Sequence, residues 1–423
     1  MDKYVIRGGK RLEGKIRIGG AKNSILPVLA AVLLNKSGDE VILKNVPRIR
    51  DVVKMVEILT SLGAKITWSG DTMAVCTKDV QNYFIDECLM REMRSTIFLM
   101  GALLARLGQV CISHPGGCAI GQRPIGLHTK GLSALGAQFR EQHHGYIYAS
   151  GVHLTGADIH LDYPSVGATE NIMLAAVYAR GVTTIANVAK EPEIVDLQNI
   201  LNKMGAKVRG AGTDQIRVEG VNQLHAVEYS VIPDRIVAGT IMMATAATGG
   251  DVVLENVIPA HLEAVTAKLR EAGAQVKEEN DRLRIQALSR PRALDVVRTL
   301  PYPGYPTDLQ APMMALLTRA KGTSIVVENV FDSRFKHVGE LIRMGANIIV
   351  TSDNRTAIIH GVENLTGASV TASDLRAGAA LVVAGLSAQG ETVVDGLHHV
   401  DRGYENLDTD LVRLGADIKR TEG

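Results

Sequence analysis

The chain has 423 residues, 46% apolar and 22% charged, a balance that excludes a disordered or collagen-like polymer and leaves ample material for a core. Lys and Arg number 46 against 45 Asp and Glu, so the net charge of +1 argues against a general nucleic-acid binder while leaving room for a local anion site. The four cysteines (Cys76, Cys88, Cys111, Cys118) form no C-x-x-C pair and no histidine spacing suits a metal, so no disulfide framework, metal or cofactor is expected.

In chain order, an apolar, Ala-rich helix is predicted over Ser24 to Leu34, then a strand ending in the turn Lys44-Asn45-Val46. An amphipathic helix follows, stopped at Leu62-Gly63-Ala64. The same succession returns. Ala-rich helices are predicted over Ser95 to Ala105, Asn171 to Ala179, Val237 to Ala247, Leu309 to Leu317 and Ala377 to Ala388. Asn-Val turns recur at Asn187, Asn256 and Asn329. The Gly-Ala mark recurs at 136–137, 205–206, 273–274, 345–346 and 415–416, its alanines 73, 69, 68, 72 and 70 residues apart. Six near-equal steps indicate six copies of one unit: strand, Ala-rich helix, strand, amphipathic helix, strand, strand. The Ala-rich helices have little polar face and belong inside a domain. The first two strands of each unit should pair in parallel across their helix.

The residues that open the interior helices are polar: Lys22-Asn23, Arg94-Ser95, Ser165-Val166, Asp234-Arg235, Thr307-Asp308 and Asp374-Leu375-Arg376. If the units are related by rotation, these N-termini point one way. Their free N–H groups, with Lys22, Arg94 and Arg376, then make a locally cationic crevice suited to anions.

Two loops depart from the repeat. The second unit lacks the Asn-Val turn and carries His114-Pro115-Gly116-Gly117-Cys118-Ala119-Ile120-Gly121-Gln122-Arg123-Pro124, an expected exposed loop with a reactive thiol at Cys118. Cys76 and Cys111 lie on strands and read as small apolar residues. The fifth unit has Pro301 to Asp308, with Thr307 or Asp308 either an N-cap or, in the case of Asp308, a base held in the cleft. Arginine recurs at one place in three units, as Arg48 and Arg50, Arg334, and Arg402 in Asp401-Arg402-Gly403-Tyr404-Glu405, which suggests repeated anion recognition. The His143-His144 pair is expected to be exposed, and the lone Trp68 makes no stacking platform.

Taken together, Gly19 to Asn23, Pro115 to Gly121, Gln122-Arg123-Pro124, Pro233-Asp234-Arg235, Pro306-Thr307-Asp308, Asp374 to Ala377 and Asp401 to Glu405 resemble the UDP-N-acetylglucosamine enolpyruvyl transferases (1-carboxyvinyltransferases), over essentially the whole chain. The resemblance implies a two-lobed inside-out α/β barrel with three units per lobe. It puts residues 22–232 in a first lobe with the Cys118 loop, and 1–21 plus 233–423 in a second lobe with Asp308, Arg376 and Arg402, the active site lying in the cleft. The implied reaction is the first committed step of bacterial peptidoglycan synthesis. Phosphoenolpyruvate is protonated at its methylene carbon while the sugar nucleotide's 3′-hydroxyl attacks C2, and the resulting tetrahedral ketal eliminates phosphate.

By the same resemblance Cys118, Asp308, Lys22 and Arg402 are catalytic, with Asp308 the base and Cys118 the acid or a group in product release. Phosphoenolpyruvate falls to Lys22, Asn23, Arg123, Arg376 and Arg402. The nucleotide sugar falls to Asn23, Arg94, Arg123, Pro124, Ile125, Gly126, Leu127, Ser165, Val166, Asp308 and Val330. The chain departs from the family pattern at Gly126, where Asp is expected, and at Tyr163-Pro164 before Ser165. The expected partners are these two small molecules, with no nucleic acid and no membrane, in a cytoplasmic monomer or weak oligomer. The apolar stretch Ile25 to Leu34 is about half a bilayer span, and the N-terminus has no apolar signal core. Same-fold shikimate-pathway transferases, a non-catalytic nucleotide-sugar sensor and an RNA-end-processing relative of the repeat fold are the rival readings.

Overall fold

The structure is a computed structural model that describes residues 2–113, 125–142, 145–287 and 290–422. It is mixed α/β, and the described residues divide into two compact units, one of residues 20–113 with 125–232, the other of residues 2–19 with 233–422. Each unit has its own apolar core.

The six repeats are six small sheets. In the 20–232 unit, Glu228–Ser230 runs parallel to Val41–Lys44, which continues antiparallel to Thr72–Cys76 and on to Lys65–Ser69. Asp158–His160 and Val182–Ala186 start the second sheet in the same parallel way. The third sheet has three strands, Gln109–Ser113, Tyr146–Ser150 and Gln138–Gln142, and its first strand shrinks to one parallel bridge from Phe84 to Cys111. In the other unit the parallel pairs are Glu13–Arg17 with Asp251–Glu255, Val296–Arg298 with Thr323–Val327, and Ser369–Thr371 with Glu391–Asp395. The expected parallel pairing across the helix is present in three units and as a single bridge in a fourth, but in the other two the first strands are exchanged. Glu13–Arg17 precedes the helix Lys22–Val32 yet pairs beyond residue 250, and Glu228–Ser230 precedes the helix Arg235–Thr248 yet pairs with Val41–Lys44.

The Gly-Ala marks are one repeated helix stop. Gly63, Gly136, Gly205, Gly273, Gly345 and Gly415 all have φ between 91° and 108°, a region costly for any side chain. The alanine amide after each bonds the carbonyl five residues back, at 2.9 to 3.0 Å. The Asn turns share a second device: Asn45, Asn187, Asn256 and Asn329 each donate Nδ2 to the carbonyl that follows or ends their sheet's first strand, Val231, Leu161, Ile18 and Thr299. Asn45, Asn187 and Asn256 sit at positive φ, which asparagine tolerates better than most residues.

The Ala-rich helices are interior, as their composition requires: Lys22–Val32, Leu99–Leu107, Val166–Ala176, Arg235–Thr248, Gln310–Leu317 and Leu375–Ser387. Their polar openings stand where expected at Lys22, Ser165-Val166, Asp234-Arg235 and Asp374-Leu375; the third helix begins at Val166 behind its Ser165 cap, so the buried Thr169 and Glu170 lie inside it, ahead of the apolar stretch predicted from Asn171. Asn171 earns its place by bonding the Gly101 amide at 2.6 Å and the Ile97 carbonyl at 3.0 Å. The second is preceded by a 3-10 turn, Arg94–Phe98.

Candidate functional site

In the unit of residues 2–19 and 233–422, a short 3-10 turn, Thr307–Leu309, leads into the helix Gln310–Leu317 and carries Asp308. Asp308 is not an N-cap. Its Oδ1 accepts from Arg334 Nη2 at 2.5 Å and its Oδ2 from Arg376 Nη2 at 2.9 Å. Thr307 donates its hydroxyl to Glu328 Oε2 at 3.0 Å instead of capping. Glu328, fully buried, spends Oε1 on the amides of Val330 and Phe331, which fixes the turn leading to Arg334. Arg334 is therefore an anion-binding arginine, as its recurrence suggested, and its anion here is the protein's own carboxylate.

Arg376 lies in the first turn of Leu375–Ser387, a helix capped by Asp374, which accepts from the Arg376 and Ala377 amides. Burial works against its charge, but Asp308 and, more weakly, Tyr404 and Asp234 outweigh burial and raise its pKa. The Arg376 guanidinium also reaches Tyr404 Oη at 3.4 Å, and that hydroxyl meets Thr240 Oγ1 at 2.8 Å. Behind Arg334 sits His337, fully buried, its ring held by the Arg334 carbonyl and its Nε2 without a hydrogen-bond partner. Burial brings its pKa down to about 4, Asp374 opposing and Arg334 reinforcing, so the imidazole is neutral at pH 7. Arg402 sits in the turn Asp401–Gly403, and Asp401 pairs with Arg420.

In the 20–232 unit, Lys22 opens the helix Lys22–Val32 and pairs at 2.8 Å with Asp51 of the helix Arg50–Ser61, both buried. A buried ammonium needs such a partner. Asn23 is the next residue of the helix, and Ser24 donates to Asp196, which also accepts from Tyr229 Oη at 2.5 Å. Arg48 lies over the Trp68 ring, 4.3 Å from its centroid, so this member of the recurrent arginines is stacked. Ser165 caps Val166–Ala176 through Ala168 N. Gly126 opens the helix Gly126–Ala134, which Ile125 precedes and Leu127 joins; a Cβ on Gly126 would meet nothing within 4 Å, so close packing does not require glycine there. Tyr163 is exposed and its carbonyl accepts from Ser165 N at 2.7 Å.

Each unit thus gathers part of the set: Asp308 with Arg376, Arg334 and Tyr404 in one, Lys22 with Asp51 in the other. The Cys118 loop with Arg123 and Pro124, the Arg94 side chain and the His143-His144 pair lie outside the described residues. Three of the six helix ends expected to serve anions, those behind Asp234, Asp374 and Ser165, already spend amides on their own capping side chains. Cys111 is buried, and burial raises its thiol pKa; Cys76 is half-buried on its strand. Among the described residues no group of His, Cys, Asp and Glu is placed to hold a metal ion, and no helix is long and apolar enough to cross a membrane. Sequence reasoning passed over Asp51 and Glu328, whose side-chain partners Lys22 and Thr307 are distant in sequence, and His337, whose contact with the Arg334 carbonyl lies outside any repeat mark.

The family model for EPSP synthase (3-phosphoshikimate 1-carboxyvinyltransferase) matches residues 6–411. UDP-N-acetylglucosamine 1-carboxyvinyltransferase 2 of Caldanaerobacter subterraneus subsp. tengcongensis is 54% identical over 420 residues, covering 99% of this chain and 100% of the relative. UDP-N-acetylglucosamine 1-carboxyvinyltransferase 1 of Carboxydothermus hydrogenoformans is 52% identical, covering 100% and 99%. Among solved structures, the enolpyruvyl transferase NikO from Streptomyces tendae superposes with a TM-score of 0.89 at 25% identity, covering 100% of this chain and 99% of that one. EPSP synthase from Acinetobacter baumannii shares the fold, with a TM-score of 0.76 at 20% identity and full coverage of both chains.

Proposed function

This chain belongs to the EPSP synthase family of enolpyruvyl (1-carboxyvinyl) transferases, and from that premise we infer that its acceptor is the 3′-hydroxyl of UDP-N-acetylglucosamine. It transfers the enolpyruvyl group of phosphoenolpyruvate to that hydroxyl and releases phosphate, a step of peptidoglycan synthesis. The carrying observation is identity of 52% or more over full length with transferases named for that acceptor. The family model's own name points to a shikimate acceptor, but relatives at this identity and coverage outweigh it.

Our reading of the chemistry rests on the geometry of each unit. Asp308 has both oxygens engaged by guanidiniums at 2.5 and 2.9 Å, which aims the carboxylate, and each oxygen keeps a lone pair for a substrate hydroxyl. It takes the hydroxyl proton as the sugar oxygen attacks C2. Cys118 supplies the proton at the methylene carbon or acts in product release. Lys22, Arg123, Arg376 and Arg402 hold the phosphate and carboxylate of phosphoenolpyruvate, where preorganised positive charge stabilises the charge that develops. Asn23, Arg94, Arg123 to Leu127, Ser165, Val166, Asp308 and Val330 take the nucleotide sugar. In this reading residues 22–232 and the rest of the chain each supply part of one active site, in a cytoplasmic monomer or weak oligomer. Neither a metal nor an organic cofactor enters the steps.

The test is phosphate release from phosphoenolpyruvate with UDP-N-acetylglucosamine, with shikimate 3-phosphate, and with neither, across pH 6 to 9. Release with the sugar nucleotide alone is expected. Release with shikimate 3-phosphate overturns the acceptor, and nucleotide-sugar binding without release favours a sensor.

A further inference from the structure

The turn that carries Arg402 is held by local bonds. After the helical turn Leu397–Val400, the Asp401 amide donates to the Leu397 carbonyl, Arg402 to His399, and Gly403 and Tyr404 to Val400. The side chains of Tyr404 and Asp401 tie the turn to the rest of its unit. Tyr404, at its end, reaches Thr240 and Arg376. Asp401, at its start, is gripped by Arg420, whose Nη1 and Nη2 meet the two Asp401 oxygens at 2.9 and 2.8 Å. Arg420 Nε and Nη2 also meet Asp2 Oδ2, at 2.9 and 2.8 Å. Its backbone lies in the strand Asp417–Thr421, in register opposite Tyr4 of Lys3–Arg7.

We propose that Arg420 is a positioning residue for phosphoenolpyruvate: it orients the 401–405 turn, and through it Arg402 and the Tyr404 contact to Arg376. The proposal rests on the reading of Arg402 and Arg376 as phosphoenolpyruvate ligands. A planar guanidinium on both oxygens of one carboxylate fixes direction as well as distance, which a point charge does not. The Arg420 and Asp401 side chains are 35% and 31% exposed, a setting in which an ion pair contributes little to overall stability. The bond therefore matters for where the turn sits more than for whether the protein folds, and that separates the proposal from a merely structural role.

The experiment compares wild type with Arg420→Ala and Arg420→Lys, measuring KM for each substrate, kcat and melting temperature. Arg7→Ala is the control, since it removes an exposed ion pair to Glu391 from the same sheet. Arg420→Ala should raise KM for phosphoenolpyruvate at least roughly fivefold while KM for the sugar nucleotide and the melting temperature stay near wild type. Arg420→Lys should recover part of the loss, and Arg7→Ala should change none of these. An unchanged phosphoenolpyruvate KM in Arg420→Ala overturns the inference, as does a rise shared by both substrates together with a lower melting temperature. Wild-type protein that releases no phosphate removes the functional reading and this inference with it; active wild type with an indifferent Arg420→Ala removes the inference alone.

Discussion

Asp308 is where a single side chain decides most. It sits between two arginines that are themselves buried, so its removal would leave two guanidiniums without their carboxylate, while Asp308→Asn keeps the shape and removes the proposed base. Asp308→Asn should lower kcat for phosphate release by about 100-fold or more, the scale of a lost general base. Glu170 offers a second residue-scale test, away from the chemistry. It is buried in the helix Val166–Ala176 with no hydrogen-bond partner for either oxygen. Burial, then Glu193 and Glu191, raise its pKa well above the usual range. The folded state therefore holds this proton more tightly than the unfolded chain, whose carboxyl titrates near roughly 4.3. The stability it contributes is complete below that pH and is lost as pH rises through the folded-state value. Glu170→Gln, which cannot ionise, should gain in urea midpoint over wild type from pH 4.5 to pH 8, and a constant difference would refute the assignment. What the sequence shows at this scale is uneven. Asp308, Arg376 and Arg402 stand in recognisable motifs, and the recurrence of arginine pointed to Arg334. The pairing of Lys22 with Asp51, and of Thr307 with Glu328, joins residues far apart in sequence, which no local spacing encodes.

The elements were legible because one helix stop is used six times. A Schellman end requires a left-handed residue, and the chain supplies Gly at every copy, followed by an alanine whose amide closes the motif. Gly345 isolates the backbone cost, since a Cβ there would touch nothing within 4 Å. Gly345→Ala should therefore destabilise by about 1 kcal/mol through φ alone, read as a shift in urea midpoint at unchanged m-value. Polar residues marked four of the helix starts, but the apolar stretch of the third hid its first turn: Thr169-Glu170-Asn171 looks like a flank by polarity, yet all three are buried, Thr169 bonded to the Ala189 amide and Asn171 to Ile97, Gly101 and His128. The first strand of the second repeat, reduced to the Phe84 bridge, left no alternating pattern to read. The exchange of first strands was invisible to pattern, because Glu13–Arg17 and Glu228–Ser230 each stand directly before a helix whose sheet they do not join.

At the scale of the whole molecule, that exchange makes the two units unequal in their dependence on sequence order. Residues 20–232 hold all three of their sheets and a core of their own, so that segment should fold alone. Residues 233–422 should not, because Lys3–Arg7 is an interior strand bonded on one side to Glu391–Asp395 and on the other to Asp417–Thr421. Circular dichroism with urea titration of the two segments checks this: a cooperative transition is expected for 20–232, and for 233–422 only when a peptide of residues 2–19 is added. On the ribosome the asymmetry becomes one of timing. The segment that emerges first is needed last, and at about 5–20 residues per second it waits roughly 20 to 80 s for its neighbours in the sheet to be synthesised. Through about the second half of that interval the unpaired strand Lys3–Arg7 is tethered to an already folded body, and its exposed edges are where a chaperone, or another nascent copy, has its opportunity.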